Sequence, residues 1–176
     1  MRELVESYKD NRQATSATLE DVVDAVVEEP SLFSNLVAGL QSNSTGTRQR
    51  SAAAISELSS LQPHLLAEHG PVVSETAAST DDPLIQEHLA SVLPQLPMEA
   101  TDAGDVAQTL LEYRESENLV LVVEAIEALG TLAIRYPTCG ERVRAALAMS
   151  ADSERTIEAK RAEHVLANVD AASTED

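Results

Sequence analysis

Residues 117–135 read ENLVLVVEAIEALGTLAIR. Leu119, Val120, Leu121, Val122, Val123, Ala125, Ile126, Ala128, Leu129, Leu132, Ala133 and Ile134 leave almost no water-facing side. On a helix the polar positions Glu124, Glu127 and Thr131 fall in one narrow stripe. A helix that is apolar nearly all round needs cover from several neighbours. Glu124, Glu127 and Gly130 argue against a membrane span, which takes about 18 or more apolar residues without charge. The stretch therefore reads as the middle of a stack of helices.

On either side of it, helical signals alternate with short breakers, and no segment sustains a period of two. Residues 2–9 form a short helix candidate. Thr18 and Asp21 have the spacing of a capping box for a helix to about Glu28, with Leu19, Val22, Val23 and Val26 on one face. Pro30 breaks that helix, and Ser31 is expected to cap a run over 32–40. The polar stretch 41–47, QSNSTGT, reads as a loop. Further helices are expected over 48–61, over 64–79 with an interruption at Gly70-Pro71, and from Pro83 to about Leu93, where Pro83 suits a first turn. Pro94 and Pro97 close that helix, and Asp102 opens one through Tyr113. Beyond the central helix, Thr138 and Glu141 stand in capping-box spacing, and Ser153 opens the last helix, to about Val169.

These segments repeat. Aligning the second helix of each pair places Ile55, Leu93, Leu129 and Val165 in one column, at steps of 38, 36 and 36 residues. Three residues earlier the column is Ala52, Ala90, Ile126, Ala162; three later it is Leu58, Leu96, Leu132, Asn168. The column just before the anchor is Ala54, Val92, Ala128, His164. The last pair departs most, at Asn168 and His164, as a terminal unit with one neighbour missing should. RQRSAAAISEL (48–58), LIQEHLASVLPQL (84–96) and VVEAIEALGTL (122–132) resemble the second helices of HEAT-type repeats. Arg48 stands where many such repeats carry arginine, whereas Gln86, Val122 and Glu158 replace it in the others. The resemblance implies an all-α fold, a right-handed α-α superhelix of about four to five helical hairpins. Residues 1–30 would be a divergent first repeat or cap, 31–170 the repeats, and 171–176 a frayed tail. A closed helical bundle is the competing architecture.

Composition limits the functions on offer. The core must come from Ala, Val and Leu, because Phe33, Tyr8, Tyr113 and Tyr136 are the only aromatics. A single cysteine, Cys139, excludes an intramolecular disulfide and fits a reducing compartment. The first residues lack the apolar run of a secretory leader, so the expected location is cytoplasmic, and the sequon at Asn43-Ser44-Thr45 reads as chance. The formal charge is −18, from 30 acidic and 12 basic residues, with lysine only at positions 9 and 160. Such a surplus disfavours nucleic acid and anionic membrane as partners. Scarce lysine beside abundant carboxylates resembles proteins of salt-accumulating halophiles, where salt screens charge over about 3 Å at 1 M. From Ser51 to Tyr113 there are ten carboxylates and no Lys or Arg. Arg135, Arg142, Arg144, Arg155, Lys160 and Arg161 cluster later, near Glu141, Glu154, Glu158 and Glu163, with which pairing at helical spacing is expected.

No catalytic or metal constellation emerges. Deoxyhypusine hydroxylase, a HEAT-repeat enzyme class, binds two irons through His-Glu pairs near the start of second helices. Glu87-His88 lies at that register in inverted order, but its equivalents are Gln49-Arg50, Val123-Glu124 and Ala159-Lys160, which make no symmetric ligand set. His64 and His69 are five apart, and the H-E-x-x-H pattern is absent. Cys139 lies near a helix start, where the dipole can lower a thiol pKa, yet no base accompanies it. The expectation is no catalytic residue, no metal and no cofactor.

A candidate binding surface comes from the alignment. Positions five before, two before and two after the anchor share a helix face and give a ridge of Arg50, Glu57, His88, Gln95, Glu124, Glu127, Thr131, Lys160 and Glu163, interspersed with Ala53, Ser91 and Ala167. In HEAT-like folds second helices line the concave side, and partners commonly lie there. The reading is a non-enzymatic interaction module for another protein, bound through this ridge or an exposed end. Self-association through solenoid ends stays open. The alternatives are a nucleic-acid-binding HEAT-like repeat, or a regulatory subunit of a HEAT-like lyase or hydroxylase system.

Overall fold

The computed structural model describes residues 17–174. The expected helix over 2–9 lies outside them. Among the described residues the regular structure is entirely helical: α1 (Leu19–Glu28), α2 (Phe33–Leu40), α3 (Thr45–Leu61), α4 (Gly70–Ser79), α5 (Pro83–Val92), α6 (Ala100–Arg114), α7 (Leu119–Arg135), α8 (Gly140–Ala151) and α9 (Thr156–Ala172). Short 3-10 turns occupy Pro30–Leu32, Pro63–Leu66, Leu93–Gln95 and Pro137–Cys139. None of the helices is long and apolar enough to cross a membrane.

Several helix boundaries follow from local chemistry. The Thr18 capping box forms: Asp21 N–H donates to Thr18 Oγ1 at 3.2 Å, and Thr18 N–H donates to Asp21 Oδ2 at 2.8 Å. These bonds hold the Asp21 carboxyl below its ordinary pKa, with the backbone N–H of Thr18 the larger cause. Pro83 sits in the first turn of α5, where its missing N–H leaves nothing unpaired, and Asp82 Oδ1 accepts from Leu84 N–H at 3.0 Å.

Other boundaries differ from expectation. The helix α3 begins at Thr45, inside the stretch read as loop, because Ser44 is its cap and accepts from Thr47 N–H at 3.4 Å. Gly70-Pro71 starts α4 instead of interrupting a longer helix. In α6, Glu99 caps and Asp102 is the third helical residue of its capping box. Ser31 bonds Glu29 and does not cap α2, which follows directly from the Pro30 turn. The Thr138–Glu141 box is not made. Pro137 opens a 3-10 turn through Cys139, and a residue inside such a turn lacks the extended backbone that side-chain capping requires. Likewise Ser153 precedes α9 by three residues, accepting from Arg155 N–H at 3.2 Å and donating to Glu158 Oε2 at 3.0 Å. At the other end α9 continues to Ala172, where Ser173 Oγ donates to Val169 O at 2.8 Å.

The chain forms two compact units, dividing after Pro97. In the first, the hairpin α2–α3 meets the hairpin α4–α5: α3 packs on α5, α2 contacts α4, and α1 lies against α3. In the second, the hairpin α6–α7 meets α8–α9, with α7 packed along α9. The columns read from the sequence form the cores. Ile55, Leu93 and Leu129 are completely buried, and Val165 nearly so. Ala52, Ala90, Ile126 and Ala162 are buried beside them. Asn168 and His164, the misfits of the last repeat, are exposed where their counterparts are buried. Gly130 marks a close crossing of α7 and α9: a Cβ placed on it would lie 2.1 Å from Val165 Cγ1 of α9.

Candidate functional site

In the first unit, Arg50 and Glu57 project from α3, His88 from α5, and Gln95 from the turn that ends the second helix. Glu57 is exposed; the other three are half-buried. The ridge here is a seam between two packed helices, and its polar groups reach each other. Ser56 Oγ and Ser91 Oγ are 2.9 Å apart. Gln95 Nε2 donates to Ser59 Oγ at 3.2 Å and to Ser91 O at 2.9 Å. At the start of both helices Gln49 Nε2 donates to Asp82 Oδ2 at 2.9 Å. On the opposite side Gln41 Nε2 donates to Thr76 Oγ1 at 2.9 Å, joining α2 to α4. Arg48 donates to Ser42 O at 2.9 Å and Thr45 Oγ1 at 3.2 Å, pinning the link between α2 and α3.

The second unit carries Glu124, Glu127 and Thr131 on α7, and Lys160 and Glu163 on α9. Thr131, Lys160 and Glu163 are exposed, and Glu124 and Glu127 are half-buried. Arg161 donates to Glu127 Oε1 at 2.5 Å across the α7–α9 seam. Thr131 Oγ1 is turned back to Glu127 O at 3.1 Å. On the other side of the unit, Arg114 Nη1 donates to Ala146 O at 3.1 Å and Ser150 Oγ at 3.3 Å, with its side chain only 12% exposed. Arg142 bonds Gln108 Oε1, and Arg155 donates to Ser116 O at 3.3 Å. Arg144 holds Asp170 at 2.9 Å and also bonds Ser173. The expected pairs with Glu141, Glu154, Glu158 and Glu163 are thus not the contacts that Arg142, Arg144, Arg155 and Arg161 make: their partners lie elsewhere in the unit. Arg114, which sequence reasoning passed over, is the most buried of the set. Its signal was the step of one repeat to Ser150.

Neither a protein-family model nor a curated protein matches the chain. The site stands on its own geometry. Among the described residues, no three His, Cys, Asp or Glu side chains gather as a metal-binding group. His64 and His164 are exposed. His69 lies over Phe33 with centroids 5.4 Å apart, its Nε2 3.4 Å from Ser34 Oγ. Cys139 is buried and its thiol donates to Tyr136 O at 3.0 Å. Burial pushes that thiol pKa up, so any pull from the α8 N-terminus loses to desolvation and the group stays neutral. Burial, with a smaller contribution from Glu112, likewise raises the Tyr113 phenol. Shallow clefts open in the surface among the described residues. One, of about 420 Å³, is lined in the first unit by Gln41, Arg48, Thr76, Thr80, Asp81 and Asp82. Another, of about 270 Å³, lies in the second unit beside Ile134, Pro137, Arg144 and Ser173.

Proposed function

We propose that this chain is a HEAT-like helical-repeat module, a right-handed superhelix of stacked hairpins, that holds another protein along its concave ridge or at an exposed end. The recurrence of inter-helix hydrogen bonds about one repeat length apart supports this reading. Gln41–Thr76 and Ser56–Ser91 are separated by 35 residues, Ser59–Gln95 and Arg114–Ser150 by 36, and Glu127–Arg161 by 34. Stacked repeats bring together residues about one repeat apart, and Arg114 and Ser150 stand at equivalent positions of successive repeats. The sequence columns run through all four second helices at steps of 38, 36 and 36 residues.

Binding rests on shape complementarity and electrostatics, without chemistry of the module's own. The seam hydrogen bonds occupy Ser91 and Gln95, so the exposed residues Glu57, Thr131, Lys160 and Glu163 are the ones that meet a partner. The ridge has no aromatic anchor, which fits a modest affinity dominated by charged and polar contacts. The exposed polar face of α9, with His164 and Asn168 linked at 3.4 Å, favours the ridge over the C-terminal end as the docking surface.

The test is affinity capture from an extract of the native host at its own salt concentration. The bait is the protein itself or a Thr131→Arg/Glu163→Arg variant whose helical circular dichroism is unchanged. A partner held by the first and lost by the second is expected. Equal retention by both would move the interface off the ridge, and no retained partner at all would remove the interaction reading. If nucleic acid is retained instead, with an affinity that falls steeply as salt rises, the nucleic-acid alternative replaces it.

A further inference from the structure

We draw no further inference here: the strongest candidate, the Ser34–His69 side-chain pair between α2 and α4 in the first unit, is a 3.4 Å contact with the imidazole tilted against Phe33 and no third group shown to orient it, and it belongs to the same inter-hairpin clasp as Gln41–Thr76.

Discussion

In the first unit the two hairpins are tied by amide and hydroxyl groups: Ser56 with Ser91, Gln95 with Ser59, Gln41 with Thr76, and Gln49 with the single carboxylate Asp82. In the second unit the same task falls to guanidinium groups: Arg161 on Glu127, Arg142 on Gln108, and Arg114 on Ala146 and Ser150. The difference follows the sequence, which has no Lys or Arg from Ser51 to Tyr113. The helix α5 therefore has no cation of its own, and its bonds to α3 through Ser91 and Gln95 use neutral groups. Packing of one helical hairpin on another therefore accepts two kinds of polar seam, provided a buried apolar column lies beneath it. The comparison predicts that burial dominates stability in both units and that the Arg161–Glu127 seam is more sensitive to salt than the Ser56–Ser91 seam.

The largest effect tests the shared part. Leu129 is completely buried, and Leu129→Asp places an unpaired charge against α6 and α9. A loss above about 4 kcal/mol is expected, enough to remove the cooperative thermal transition of the second unit. An unchanged melting temperature would end the central role given to α7.

Gly130 provides the next test. A methyl group there meets Val165, a stiff side chain that is itself buried, so Gly130→Ala should destabilise by about 1–3 kcal/mol. Adding Val165→Ala should relieve the clash, making the double variant less impaired than the sum of the two single ones. Gly104 in α6 is the control: nothing lies within 4 Å of its virtual Cβ, so Gly104→Ala should stabilise by up to about 1 kcal/mol through helix propensity. If the two alanines act alike in chemical denaturation, packing at the α7–α9 crossing is not what Gly130 provides.

Arg114→Met keeps the aliphatic stem and removes the bonds to Ala146 O and Ser150 Oγ. Ser150 is buried, so its hydroxyl loses its link to α6, and a loss of about 1–3 kcal/mol is expected. Hydrogen exchange should rise first in the last turns of α8. Uniform exchange across the unit would deny Arg114 a local role.

How much of this was legible depends on the range of the signal. The anchor columns were readable because similar burial imposes similar residue types, and they fail only at His164 and Asn168, which are exposed. The Thr18 box was readable because capping is settled within four residues. Thr138 carried the same spacing and failed, since Pro137 places it in a 3-10 turn, a constraint the pair itself does not contain. The arginines were misread because partners were sought at helical spacing. The repeat step, already present in the columns, leads from Arg114 to Ser150, and from Glu127 to within two residues of Arg161. The ridge positions were found from that periodicity. That Ser91 and Gln95 would be engaged by the neighbouring helix was not visible, because their side chains could equally have pointed to solvent.

The smallest effect separates the two seams most directly. Arg161 and Glu127 are each a little under half exposed, so Arg161→Ala should cost only about 0.2–1 kcal/mol at low salt. That difference should fade toward zero as salt approaches about 1 M, where screening acts over about 3 Å. Ser56→Ala removes a neutral rung of comparable strength, and its effect should not change along the same titration. Meanwhile the unsubstituted protein should gain stability with salt, because relief of self-repulsion at a net charge of −18 outweighs the loss of a few exposed ion pairs. Measured as melting temperatures across the titration, the Arg161→Ala curve should converge on the parent curve, while the Ser56→Ala curve stays parallel to it. Two parallel curves would mean that the Arg161–Glu127 contact contributes packing and not charge, and the contrast between the units would reduce to sequence composition.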